Sequence, residues 1–453
     1  LAYASQTTAA GPLGKQLWQQ TWPMAIGALS LLGFQLVDSA FIARLGTAPL
    51  AAQSFTFPLS FLIIGTQVGI GIAIAALISR ALGAGETARA RRLSSLVMMV
   101  GSTLIGVLAL GLWVGQQPLF TALGADQSAF DYIARYWPVQ LLAAWFGALA
   151  YFSYSVFRAH GNTRLPGNMM LVTSLVNLAL DPLLIFGAGP VGGLGLPGAA
   201  WASVIAFGVG LGITARQLGR HRWLTRRGLG AEARYSAGPF AGIAGPAMIS
   251  QLMPPLSAML AIAVVSSLGE TLVAAWGLGS RLETLSLMAI LAMTMSLPPW
   301  LGRCYGAGDW DQIRRLLRLA LQVAVLWQLA LGLVMVLASR WVALVLAGEP
   351  EVQHELALLI RFLLPSYAAL GVCMLVVSAG NALGFPLWSM VMSGVRLFVC
   401  YLPCLWVGMQ LGGWTGLAAG AALGNLLAGL TAWRLLRRMV GARSSRDASA
   451  DNA

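Results

Sequence analysis

Apolar stretches long enough to cross a lipid bilayer recur along the whole chain. A hydrocarbon core about 30 Å thick needs about 20 helical residues, and the stretches fall at approximately 16–43, 49–80, 92–116, 130–157, 166–188, 195–217, 238–266, 272–302, 313–338, 353–380, 386–409 and 412–435. Within lipid, backbone polar groups must be satisfied internally, so spans of this length are helices. Of the 453 residues 58% are hydrophobic and 9% charged, which leaves too little polar surface to cover a soluble globule. The expectation is an all-α integral membrane protein of twelve transmembrane helices. The first span is too long for a cleavable signal and carries functional candidates of its own.

The distribution of basic residues sets the orientation. Lys15, Arg80, Arg89, Arg91, Arg92, Arg158, Arg164, Arg216, Arg220, Arg222, Arg226, Arg227, Arg234, Arg303, Arg314, Arg315, Arg318 and the tail from Arg434 to Arg446 fall on one side. The other side holds Arg44, Arg135 and Arg340 with Asp126, Asp131, Glu270, Glu349, Glu351 and Glu355. The positive-inside rule then places both termini in the cytoplasm of a multi-pass protein of the bacterial inner (plasma) membrane. A net charge of +13 arranged this way does not point to nucleic acid. Cys304, Cys373, Cys400 and Cys404 read as small packing residues; Cys400 and Cys404 share a helix face, but no His or second Cys pair accompanies them to make a zinc site. His160, His221 and His354 fall at loops or helix ends, which argues against an intramembrane hydrolase. No catalytic residue and no cofactor is expected.

The chain is internally repeated. "LGTAPLAAQS" from Leu45 matches "LGETLVAAWG" from Leu268, and "RALGAGETARARRL" from Arg80 matches "RCYGAGDWDQIRRL" from Arg303, both 223 residues apart. "HGNTRLPGN" from His160 faces "AGNALGFPL" from Ala379 at a slightly smaller offset. Six spans per repeat give both copies one orientation, so the lobes are related by a pseudo-twofold along the membrane normal. Such repeats build transporters with a cleft between two bundles. The expected parts are an N-lobe over 1–216, a cytoplasmic linker over 217–237, a C-lobe over 238–440 and a disordered tail over 441–453. The basic linker is either solvated or an interfacial helix; the solvated state is the expectation.

Three acids lie inside the spans: Asp38, Asp181 and Glu283. An intramembrane carboxylate is costly and persists with partners or a job. Asp38 and Asp181 each sit about 9 Å inside the outer end of an outward-going helix, and Ser203 about 12 Å into the returning sixth helix, at 1.5 Å per residue. Asn177 lies one turn below Asp181, and Pro182 frees a carbonyl. These hard oxygen ligands suit a proton or a small alkali cation, and no other metal. The alternative is a hydrogen-bonded strut, against which stands Ala261 at the place of Asp38 in the second repeat. Glu283 lies about 20 Å below Glu270. It is either stapled to Arg281 or Arg396 or takes part in binding cations or protons. Pro23, about 22 Å along the helix from Asp38, should kink the first span.

"WPMAIGALSLLGFQLVDSAFIARLGTAPLAA", "RAHGNTRLPGN", "NLALDPLLIFG", "GLPGAAWASVIA" and "GSRLETLSL" together resemble the multidrug and toxic compound extrusion (MATE) family, in its DinF-like branch. The resemblance spans nearly the whole chain. It implies a monomer of two six-helix lobes that exports amphipathic, often cationic small molecules across the lipid bilayer by cation-coupled alternating access. By position it implies a cation site at Asp38, Asn177, Asp181 and Ser203, a bending proline at Pro23 and a C-lobe acid at Glu283. The coupling ion is expected to be the proton, with sodium as the alternative. Related branches would also allow a flippase for lipid-linked sugars, but such a phosphate-bearing substrate wants more cavity arginines than Arg281 and Arg396.

Overall fold

A computed structural model describes residues 13–188 and 191–450. The first half contains α1 (Leu13–Ala43), α2 (Thr47–Gly83), α3 (Thr87–Val114), the short α4 (Gln116–Ala122), α5 (Gln127–Ala159), α6 (Arg164–Phe186) and α7 (Leu196–His221). A two-stranded hairpin, Gly187–Ala188 against Val191–Gly192, links α6 to α7. The second half contains α8 (Leu229–Ser266), α9 (Glu270–Ser286), α10 (Met288–Gly306), α11 (Trp310–Leu337), α12 (Ser339–Leu346), α13 (Pro350–Ala382), α14 (Pro386–Gly394), a π-helical segment (Val395–Tyr401) and α15 (Leu402–Ala450). This is an all-helical, multi-span membrane protein. Ten of its described helical segments are long and apolar enough to cross a bilayer, and the bent pair α9–α10 makes eleven.

One expected span is differently built. The span expected over 272–302 is bent by 41° between α9 and α10. Its pivot, Leu287, has ψ near 0°, while the neighbouring Ser286 is held by buried Gln328 of α11. The segment Pro386–Arg438 folds back on itself. Gly412 and Gly413 leave helical geometry, Gly413 with φ +56°, which a residue without Cβ adopts freely. Across this turn Gly408 packs on Gly416 and Gly420 on Cys404, so closely that a methyl group at any of these glycines would meet a backbone oxygen at 2.1 Å. The two arms are therefore antiparallel neighbours.

The last helix continues to Ala450, past position 441 where the tail is expected to begin. Residues 451–453, and 1–12 with Leu1 at the chain start, lie outside the described residues. The linker expected over 217–237 is also mostly helical, because α7 runs to His221 and α8 begins at Leu229. Glu232 in the first turn of α8 binds Arg89 at 3.2 Å and Arg92 at 3.0 Å, both on α3.

The repeat governs the turns. Gly46 and Gly269, Gly85 and Gly308, Gly161 and Gly384 are three pairs of positive-φ glycines, each pair 223 residues apart. The third pair corrects the smaller offset read from His160 and Ala379: matching "HGN" to "AGN" slips the register by about one helical turn, which keeps the same face and so disguises the error. The short helices α4 and α12 begin at the same separation.

Each half has its own apolar core. One gathers Ile74, Phe120, Trp137 and Phe152, the other Leu297, Leu316, Leu356 and Tyr367. Between them α1 packs on α10 and α2 on α8. Outward faces are apolar too, as at Val107 and Leu110 on α3 and Leu326 and Leu333 on α11, which suits helices solvated by lipid. The adjoining ends of α2, α10, α5 and α13, and the Glu232 anchor, place the arginine-rich loops together at one end, called here the basic face.

Candidate ion-binding site

The site begins with α6, whose four-residue spacing puts Asn177 and Asp181 on one face. Both are buried, at 2% and 0% exposure. The Asn177 amide spans two helices: its nitrogen donates to Asp181 Oδ1 at 2.8 Å and Oδ2 at 3.0 Å, and its oxygen accepts from Ser203 Oγ of α7 at 2.8 Å. Three of the four expected ligands are thus joined by hydrogen bonds.

The fourth, Asp38, stands on α1 within electrostatic reach of Asp181. Just beyond the two acids the rings of Phe41 and Phe186 meet edge to face at 6.1 Å, holding α1 and α6 together. Asp38 Oδ1 is buried and has no hydrogen-bond partner among the described residues. The two carboxylates offer the oxygen donors, the Asn177 N–H groups face Asp181, and no basic side chain lies within 4.0 Å of either acid among the described residues. Such a set holds a proton or a small hard cation.

Two further polar residues join this cluster. Tyr136 of α5 lies in the field of Asp38, beside Gln53 of α2; both are buried. Gln53 is visible in sequence as one of two amides, with Gln67, within an apolar span. Tyr136 resembles the aromatic residues that normally mark a membrane interface, so its inward position is not legible there.

At the repeat distance of 223, Asn177 and Asp181 fall on Cys400 and Cys404, and Asp38 on Ala261. The second half therefore has no copy of the cluster. Its own acid, Glu283, lies one turn before the bend at Leu287 and accepts a hydrogen bond from Tyr367 at 3.1 Å. Arg396 comes within electrostatic reach of Glu283 from the π-helical segment, whose wider turn is common at functional sites. Arg281 is exposed. No ion pair within 4.0 Å joins Glu283 to either arginine among the described residues; its hydrogen bond is to Tyr367 rather than to the arginine staple, one of the two sequence alternatives.

Pro23 lies inside an unbroken α1 rather than at a helix break. It is packed on the start of α6, where a methyl group on Gly167 would fall 2.2 Å from the Pro23 carbonyl oxygen. A recess of 530 Å³ near Glu351, His354 and Glu355 lies at the opposite end of the molecule from the basic face.

The MatE family profile matches twice, over residues 23–183 and 246–407. The chain belongs to the MatE family. Its two matched blocks begin 223 residues apart, at Pro23 and Pro246, the separation already seen in the turn glycines. Members of this family are transporters, not enzymes. The chain is 31% identical to the FAD transporter of Shewanella oneidensis, over 94% of this chain and 95% of the relative. It is 26% identical to the probable multidrug resistance protein YoeA of Bacillus subtilis, over 87% and 88%. Among solved structures, the MATE transporter VcmN of Vibrio cholerae in its bent form superposes with a TM-score of 0.92 at 47% identity, covering 95% of this chain and 97% of that one.

Proposed function

We propose that this MatE protein is a proton-coupled antiporter of twelve transmembrane helices, in the DinF-like branch, exporting amphipathic and often cationic organic compounds. Counting the antiparallel arms of Pro386–Arg438 separately gives the twelfth helix. The single observation that carries the coupling is the Asp38–Asn177–Asp181–Ser203 cluster, present in one half and replaced by Ala261, Cys400 and Cys404 in the other. A strut needed for architecture would be expected in both halves. Two neighbouring carboxylates without a base repel when both are charged, and one proton relieves that repulsion directly. Sodium would need a fuller oxygen cage.

In this reading the basic face is cytoplasmic, both termini are inside, and the lobes rock about the pseudo-twofold to expose the cleft to either side. The protein works as a monomer. Glu283 and Arg396 line the C-lobe side, with Pro23 as the bending point of α1. The test is efflux of a fluorescent cationic dye from proteoliposomes under a pH gradient without sodium, then under a sodium gradient without a pH gradient. Proton coupling is sunk by movement driven by sodium alone and indifferent to pH.

A second substrate reading is favoured by the Shewanella relative, which is named an FAD transporter. A flavin dinucleotide is amphipathic but anionic, and Arg396, whose Nε is buried without a hydrogen-bond partner among the described residues, is a cation suited to its phosphates. The same vesicles loaded with FAD decide between the two.

A further inference from the structure

We propose that the repeated Arg-x-x-Gly-Ala-Gly turns, Arg80–Gly85 and Arg303–Gly308, form a two-fold clasp that holds the basic face shut and must open in each transport cycle. The proposal rests on the alternating-access reading above. Neither turn takes part in the ion site, yet the two are among the strongest matches between the repeats.

Arg80 ends α2 in the first half, and two of its hydrogen-bond acceptors lie in the second. Its Nε donates to the Ala382 carbonyl at 2.9 Å and its Nη2 to the Asn381 carbonyl at 2.8 Å. Those carbonyls belong to the last turn of α13, where unpaired oxygens and the helix dipole favour a cation. The guanidinium also lies 5.2 Å over the Tyr305 ring, again across the halves. Arg303 repeats the arrangement in reverse. It ends α10 in the second half, and its guanidinium packs against Gly161, just past the end of α5 in the first. Gly161 and Gly384 are repeat partners, and Arg80 lies beside Gly384 as Arg303 lies beside Gly161.

The glycines make the contact possible. A methyl group on Gly83 would fall 2.0 Å from the Arg303 carbonyl oxygen, and one on Gly306 2.1 Å from the Arg80 carbonyl oxygen. Neither glycine has positive φ, so alanine is compatible with its backbone and excluded only by the opposing half. The two arginines are not equal. Arg80 makes two bonds to carbonyls, whereas Arg303 Nε is buried without a partner among the described residues. Arg80 therefore carries more of the closure.

Because the Asn381 and Ala382 acceptors are backbone carbonyls rather than carboxylates, these two bonds do not themselves titrate with the coupling proton. Opening transfers the guanidinium to water, which restores its hydrogen bonds, so the closed state is favoured only modestly. This suits a contact that is broken and remade.

The test uses spin labels at Arg164→Cys and Leu387→Cys, exposed repeat partners on opposite halves at this face, in the full chain in lipid with the four natural cysteines replaced by alanine. Arg80→Ala, Gly83→Ala and Gly306→Ala should each raise the population with a longer inter-label distance about tenfold, consistent with loss of charged hydrogen bonds or of close packing. Arg303→Ala should have the smaller effect. Gly242→Ala, where a methyl group meets nothing within 4 Å, is the control. If Arg80→Ala does not insert, the two glycine variants decide the matter. Distance distributions unchanged from the parent in folded Gly83→Ala and Gly306→Ala overturn the clasp. Dye export by the parent in the same vesicles reports separately on the transport reading.

Discussion

Asn177 is the residue on which the ion site turns, because its amide hydrogen-bonds both Asp181 and Ser203. Replacing it with alanine leaves buried Asp181 without its neutral donor. Such a loss costs about 1–3 kcal/mol, so Asn177→Ala should lower the unfolding midpoint in detergent as well as dye efflux. Asp38→Asn is expected to behave differently: it keeps the shape and removes the charge, so efflux driven by a pH gradient should be lost while the melting curve stays close to the parent's. Parallel melting and efflux measurements separate the two. In the second half, Glu283→Gln should weaken export while the protein stays inserted and folded; unchanged export would make that acid expendable to function. The sequence exposes the three acids because charge in an apolar span is conspicuous. Tyr367 and Tyr136 are not, since their partners come from helices distant in sequence.

At the scale of elements, the hydropathy pattern marks where helices are but not where they are interrupted. The bend at Leu287 involves no proline at the pivot, and the π-helical segment depends on one hydrogen-bond register rather than on composition. The connection between the halves is likewise more structured than its basic composition implies. Glu232 accepts from Arg89, Arg92 and Ser236, and the Arg89 guanidinium lies 4.7 Å over Tyr235. Burial pushes the Glu232 pKa up, but the Ser236, Arg92 and Arg89 hydrogen bonds outweigh it, leaving the carboxyl below its ordinary 4.5. A depressed acid stabilises the fold above the unfolded-state pKa and loses that contribution as pH falls through the folded one. Glu232→Gln should thus cost about 1.5–3 kcal/mol near neutral pH, the scale of hydrogen bonds to charged groups. The gap between variant and parent should shrink below pH about 4.5. Chemical denaturation in detergent at the two pH values measures it, and a gap that does not change with pH would remove Glu232 ionisation from the anchor.

For the whole molecule, duplication is written in the sequence while its consequence is not. The offset of 223 can be read from paired motifs, but that the two copies meet through Gly83 and Gly306 requires the folded halves. The same contact bears on orientation. With α2 and α10 ending side by side and Glu232 holding α8 to α3, Arg92, Arg227 and Arg318 belong to one end of the molecule. The acidic loops around Glu270 and Glu351 stand at the other, one full helix away. Cytoplasmic loops are enriched in Lys and Arg, and acids contribute little to that bias. Reporter fusions after Arg92, Arg227 and Arg318 should therefore all give cytoplasmic signals, and a fusion after Glu270 a periplasmic one. The Arg227 fusion is the most informative, because it samples the junction of the halves: a periplasmic signal there would mean that the halves have opposite orientations, which the shared basic face does not permit.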